Sequence, residues 1–476
     1  VKTVLYTKST RPVDFAEKGS SPVYFQQVLH RDLGCASYVL GDGGEAVVVD
    51  PRWDIDVYLE IAAAERLRIV AVLDTHEHAD HVSGAGRLAQ ATGATRRRPV
   101  GDDDVIAAGE RLTVGSLRLT ALATPGHRPE HLAFAVADLS RSADAWMLLS
   151  GDSLLVGDVA RPDLAYEPTE GAVALHATLA GLLAELGDGV ELWPGHVGGS
   201  LCGGSGLSHK TSSTVGFERR YNPPLALDQV AFVDAVTSSL PCRPPNVERI
   251  VELNRSAAAS CPAEPAPLGV ETLGELLADG VTVLDSRSPD RFDAGHLPGA
   301  VNLPVASAGL GTRAGWALQP DRPLVIVADD EAQGRRTALA LEAVGFWTLS
   351  GIAVADIDGW TEAGLPVARA GSWDVERLVR GLRRDAVALV DVREPAEWRA
   401  GHVAGSLHVP LGGLPQLDAL PAAGEGQVTA VACAAGVRAA FAASLLRRAG
   451  RQDVVRIAGG GIPDLADRGI TLAVGP

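Results

Sequence analysis

The sequence predicts an α/β protein in three units: an N-terminal domain whose strands end in polar, ligand-type residues, then two copies of a smaller α/β domain with parallel sheets. Three observations lead there. The chain has 476 residues, more than one hydrophobic core accommodates. The segment Leu284–Pro304 returns as Val390–Pro410, with Asp285/Asp391, Arg287/Arg393, Gly295/Gly401, His296/His402 and Pro304/Pro410 at a constant offset. A stretch of small residues and prolines at 256–267 carries no amphipathic period and reads as a linker. The expected divisions are 1–255, the linker 256–267, 268–370 and 371–476.

In the first unit, Ser37–Leu40 and Ala46–Val49 flank Gly41-Asp42-Gly43-Gly44, a hairpin signal. A helix follows near Val57–Arg66. Further strands are predicted at Ile69–Leu73, Leu117–Ala121, His131–Val136, Ala145–Leu149 and Val190–Trp193. Past the first of these stands Thr75-His76-Glu77-His78-Ala79-Asp80-His81, which holds three of the twelve histidines. Pro125-Gly126-His127, Gly151-Asp152 and Pro194-Gly195-His196 follow the later strands in the same manner. Strand ends let such side chains converge while the sheet behind supplies rigidity, so a metal site is expected there.

In each repeat an apolar run (Val281–Leu284, Val387–Val390) precedes a polar turn, a second run (Leu324–Val327, Val428–Ala432) and a helical stretch, the pattern of strands joined by crossover helices. In the second copy Cys433 lies between strand and helix, with Arg438 on the first turn. Backbone N–H groups, the helix dipole and that arginine favour a thiolate. Such a thiolate attacks sulfane sulfur and carries it as a persulfide. The first copy has Asp329-Asp330 at this place and no cysteine, which predicts an inactive spacer or docking domain. Cys202, near His196, is a candidate sulfur relay. Cys35, Cys242 and Cys261 have no neighbouring base or arginine in the sequence.

Fifty-nine acidic against forty-two basic residues give a net charge of −17, which argues against nucleic acid or an anionic membrane as partner. Arg96-Arg97-Arg98 is expected to be a solvated surface stretch. Five scattered cysteines point to a reducing compartment. With no long apolar run and no signal-like start, a soluble cytoplasmic chain without a membrane segment is expected. A symmetric homo-oligomer is the expected assembly.

His76, His78, Asp80 and His81 form the His-x-His-x-Asp-His signature, and over roughly residues 20–255 the chain resembles the metallo-β-lactamase superfamily. That resemblance implies an αββα sandwich of two mixed sheets between helices. More narrowly, the chain resembles persulfide (sulfur) dioxygenases, which implies one Fe(II) per chain on His76, His127 and Asp152. Two imidazoles and a carboxylate leave open positions for a thiolate sulfur and O2, and zinc has no redox state for that chemistry. His78, Asp80, His81 and His196 would orient those ligands or hold a second metal. Arg161, in a stretch typical of that family, would bind the thiol cosubstrate. Two departures are Ala160 for the usual glycine and Arg128 after His127, expected near the pocket entrance. The last unit resembles a rhodanese domain, with Cys433 and Arg438 in its loop. The activity implied is oxidation of a glutathione-like or coenzyme A persulfide with O2 to sulfite, coupled to exchange between sulfite and thiosulfate. Two alternatives remain: a dizinc glyoxalase II-like thioester hydrolase fused to rhodanese modules, and a non-catalytic sulfur carrier.

Overall fold

The structure is a computed structural model. It describes residues 23–475 except 31, 102–103, 199, 201, 205, 239, 241, 257–261, 306–308, 414–419, 421–422 and 425. Cys261 therefore lies outside the described residues.

The first unit begins with a five-stranded sheet in the order β1 (Tyr24–His30), β2 (Cys35–Asp42), β3 (Glu45–Val49), β4 (Arg68–Leu73) and β5 (Thr95–Arg97). Helices α1 (Asp56–Glu65) and α2 (Ala85–Thr92) lie on its outer face. A second sheet contains β6 (Arg111–Val114), β7 (Leu117–Ala123), β8 (Leu132–Asp138) and β9 (Met147–Gly151). A small hairpin, β10 (Leu154–Leu155) with β11 (Asp158–Val159), precedes α3 (Pro168–Glu185). The second sheet is then completed by β12 (Glu191–Pro194) and β13 (Ser213–Thr214). Helices α4 (Val215–Tyr221), α5 (Gln229–Thr237) and α6 (Val247–Arg255) end the unit.

Strand alternation decides the layering. Tyr38, Leu40, Val47, Val49 and Leu73 meet Leu117, Leu119, Phe134, Val136 and Leu149 between the sheets. Their alternates Val39, Val48 and Val72 pack on Tyr58, Ile61 and Leu88, and Ala133, Leu148 and Leu192 pack on Leu175, Leu179 and Phe232. This is the expected αββα sandwich.

The middle unit has α7 (Val270–Ala278), β14 (Thr282–Asp285), α8 (Pro289–Ala294), β15 (Val301–Asn302), α9 (Leu310–Ala317), β16 (Leu324–Ala328), α10 (Glu331–Glu342), β17 (Leu349–Val354) and α11 (Ile357–Glu362). Its four strands are all parallel, in the order β15-β14-β16-β17. The last unit has β18 (Gly371–Trp373), α12 (Val375–Arg383), β19 (Val387–Asp391), α13 (Pro395–Ala400), β20 (His402–Val403), β21 (Leu407–His408), β22 (Val428–Ala432), α14 (Val437–Arg448), β23 (Val454–Ile457) and β24 (Leu472–Ala473). Its five-stranded parallel sheet runs β18-β23-β22-β19-β21, the middle order with one strand added. In place of that strand the middle unit has one bridge, Pro267 to Ile352.

The repeated residues have structural work. Arg287 clasps Asp285 at 2.6 Å and donates to the Gly295 carbonyl, and Arg393 does the same to Asp391 and Gly401. His296 stacks on Phe292 and His402 on Trp398, both at 3.8 Å between centroids. The expectation for Arg96-Arg97-Arg98 is corrected. Arg96 and Arg97 lie in the edge strand β5, half-buried and paired to Asp74 and Glu110, while Arg98 donates to the Arg255 carbonyl. Among the described residues no helix is long and apolar enough to cross a membrane.

Candidate metal centre and thiol loop

His76, His127 and Asp152 follow β4, β7 and β9, and the structure brings their ligand atoms together. Asp152 Oδ2 lies 3.7 Å from His76 Nε2 and 3.4 Å from His127 Nε2. Neither Asp152 Oδ2 nor His127 Nε2 has a hydrogen-bond partner among the described residues, although both are buried. Buried polar atoms are seldom left so, and three donors at this spacing fit a metal ion between them.

The surroundings fix which ring nitrogens face that point. His127 Nδ1 donates to the Arg161 carbonyl at 2.9 Å, leaving the Nε2 lone pair free to ligate. His76 Nδ1 lies 2.9 Å from Thr75 Oγ1, which itself donates to Asp50. Burial, reinforced for His76 by neighbouring imidazoles, lowers the pKa of both rings and keeps them neutral. Gly151 stands in the left-handed region (φ 51°), and a Cβ there would lie 2.6 Å from His131 Nε2, so the turn admits only glycine.

The other histidines of the signature are occupied differently. His78 Nε2 faces Asp50 Oδ1 at 3.2 Å. Burial alone would depress its pKa, but the Asp50 charge and hydrogen bond carry it up to about 9. His196 sits between two carboxylates, Nδ1 to Asp152 Oδ1 at 2.7 Å and Nε2 to Asp80 Oδ2 at 2.9 Å. Burial opposes its protonation, yet Asp152 and the further negative groups raise its pKa well above the ordinary value. His81 Nδ1 is 3.0 Å from Asp80 Oδ1. Asp80, His81 and His196 thus form a second group beside the first.

Two thiols belong to that second group. Cys202 is buried with Asp80 and His196, and burial pushes its pKa up to about 11. Cys35 corrects the sequence reading: its Sγ lies 3.1 Å from Asp80 Oδ2, 3.3 Å from His196 Nε2 and 3.8 Å from His81 Nδ1. The start of β2 bridges His196 directly, a contact invisible in local sequence.

Sequence reasoning also missed His131, Thr124 and Asp50. His131 Nε2 accepts the Asp152 backbone N–H at 2.8 Å, while its Nδ1 meets Thr124 Oγ1 at 2.6 Å. Burial lowers its pKa to about 3, so it stays the neutral acceptor this arrangement needs. Asp50 accepts from the Thr75 backbone and hydroxyl and so anchors the whole turn. The His127-x-x-x-His131 spacing and the Val47-Val-Val-Asp50 strand end were the available signals. Arg128 does not line an entrance. It is buried and paired with Glu77 and Glu130, and Arg255 reaches the same Glu77.

Arg161 is also buried and engages Asp163 through two bonds of 2.7 and 2.8 Å. With Asp158, Ala160, Gly203 and Pro224 it lines a cavity of about 300 Å³. Its carbonyl is the acceptor for His127, so this cavity wall adjoins the candidate metal centre.

In the last unit Cys433 is buried between β22 and α14, and the Gly436 N–H donates to its Sγ at 3.0 Å. Arg438 gives both terminal nitrogens to Glu397, at 2.5 and 2.8 Å. Gly461 packs against the loop so closely that a Cβ would lie 2.0 Å from the Cys433 carbonyl. In the middle unit two residues, Asp329 and Asp330, replace the four from Cys433 to Gly436, and Asp330 caps α10.

Comparison with known proteins agrees with this division. Residues 30–196 match the metallo-beta-lactamase superfamily, and residues 270–363 and 374–467 each match the rhodanese-like domain. The chain is 33% identical over 168 residues to a hydroxyacylglutathione hydrolase of Anaeromyxobacter dehalogenans, a match covering 34% of this chain and 60% of that protein's length. It is 27% identical over 254 residues to the mitochondrial persulfide dioxygenase of Bos taurus, covering 51% and 91%. A crystal structure of a metallo-beta-lactamase from Staphylococcus aureus superposes with a TM-score of 0.62 at 26% identity, covering 70% of this chain and 98% of the other. That coverage extends past the first unit. The chain is a metallo-beta-lactamase domain joined to two rhodanese-like domains.

Proposed function

We propose that the protein is a persulfide dioxygenase with an attached sulfurtransferase. It oxidises the outer sulfur of a low-molecular-weight thiol persulfide to sulfite, O2 supplying two oxygens and water the third, and releases the thiol. Cys433 then exchanges sulfur between sulfite and thiosulfate. One observation carries this reading: His76, His127 and Asp152 converge with two orphaned donor atoms, while His78 is turned to Asp50. This donor set would hold one Fe(II), which would supply open positions for a thiolate sulfur and O2. Thr75 and the Arg161 carbonyl hold the two imidazoles in the ligating tautomer. The cavity beside Arg161 accommodates the thiol, whose carboxylates suit a guanidinium that Asp163 already orients. Cys202 and Cys35 both lie beside His196.

A dizinc thioester hydrolase is the second reading. It is favoured by the grouping of Asp80, His81 and His196 beside Asp152, and by His78 Nδ1, buried without a partner among the described residues.

Metal analysis of anaerobically purified protein together with oxygen uptake on glutathione persulfide separates the two. One iron with uptake supports the dioxygenase. Two zincs, no uptake and thioester hydrolysis overturn it. In the same assay Cys433→Ser retains oxygen uptake and loses thiosulfate formation; survival of both activities removes Cys433 from the scheme.

A further inference from the structure

Two guanidinium groups lie within electrostatic reach of Cys433, and they are satisfied very differently. Arg438, on α14, is spent on Glu397. Arg313 comes from α9 of the middle unit, and its Nη1 is sealed from solvent with no hydrogen-bond partner among the described residues. The charged groups that act on it are Arg438, Cys433 and Glu394, all from the last unit. Burial first and Arg438 second lower its pKa, while Cys433 and Glu394 act in the opposite sense.

The helix carrying Arg313 is fixed in that place. Leu310 and Ala314 share one core with Cys433, Leu411 and Phe441. Trp316 packs against Gly412, where a Cβ would lie 2.3 Å from the indole. At the same junction the Asn302 N–H donates to Ser444 Oγ at 3.0 Å, and Arg456 pairs with Asp293 at 2.7 Å. A half-buried cation with a sealed, unpartnered donor within reach of a second cation is costly to the fold, and an anion relieves that cost.

We propose that Arg313 of the middle unit binds the sulfonate oxygens of thiosulfate, or sulfite itself, so that the Cys433 site is completed across the two rhodanese-like domains. This rests on the reading of Cys433 as a sulfur carrier. In the step concerned, the Cys433 thiolate attacks the outer sulfur of thiosulfate. A new S–S bond forms on Cys433, the S–S bond of thiosulfate breaks, and sulfite leaves with the electron pair. Charge grows on the departing sulfite oxygens, where a preplaced donor is most effective. The middle unit, lacking a sulfur-carrying loop of its own, thereby supplies a substrate contact to its neighbour.

The test uses the full chain as Arg313→Gln and Arg313→Lys, with thiosulfate as donor and cyanide as acceptor. Arg313→Gln raises the KM for thiosulfate about tenfold or more with a smaller change in kcat, and Arg313→Lys recovers part of the loss. Mass spectrometry follows Cys433 loading from glutathione persulfide, which has no sulfonate; this remains at the wild-type level in both variants. Equal loss from both donors marks a purely structural role and overturns the proposal, as does an unchanged KM. Wild-type protein unable to transfer sulfur from thiosulfate fails the sulfurtransferase reading, and this proposal falls with it.

Discussion

Asp152 has one oxygen committed to His196 and the other free to ligate, and its backbone N–H is held by His131. Replacing His131 with alanine removes an acceptor, not a ligand. His131→Ala should lower metal affinity by roughly 10–100-fold with little change in fold, read by metal content and circular dichroism. His76, His127 and Asp152 were legible because each stands in a short glycine-rich or histidine-rich turn just past an apolar run. Cys35 was not, because its partner His196 is 161 positions away and meets it only when β2 runs beside the turn after β12. Arg161 shows the same limit: its residue type announced anion binding, while Asp163 and the His127 contact depend on the folded turn.

Helix α6 ties the histidine-rich turn down. Asn254 accepts from the Ser83 N–H at 2.8 Å and donates to the His78 and His81 carbonyls at 2.8 and 2.9 Å, all buried. Asn254→Ala strands three backbone groups. It should cost ~3 kcal/mol in stability and reduce metal content, measured by denaturant unfolding and metal analysis. The strands that sequence reading located were those with continuous apolar runs, such as β3, β4, β9 and β22. Of the strands it left out, β5, β6 and β13 are polar or very short and exist because a sheet edge beside them offers unpaired backbone groups, whereas β17 and β23 are apolar and escaped it all the same. The repeat was legible as a fold signature, since its Asp-x-Arg clasp and Gly-His pair are structural.

The first and middle domains are joined by a specific seam. Trp53 donates to Glu342 at 2.9 Å and stacks near Trp347, and the Val82 N–H donates to the Ala343 carbonyl at 2.7 Å. Asn246 and Arg249, at the start of α6, add bonds to the Val344 and Gly345 carbonyls. Burial raises the Glu342 pKa, so the fold disfavours its ionised form. The resulting penalty is absent below the unfolded-state pKa and grows as pH rises through the folded one. Glu342→Gln keeps an acceptor for Trp53, so the variant should melt above wild type at pH 7 and coincide with it near pH 3, as followed by thermal denaturation.

The bond from Val82 to Ala343 also imposes an order on biosynthesis. A ribosome delivers the histidine-rich turn long before it delivers the carbonyl that clamps it, so the nascent first domain waits with its outer anchor missing. The clamp on the histidine-rich turn therefore closes only after the second domain has emerged and docked.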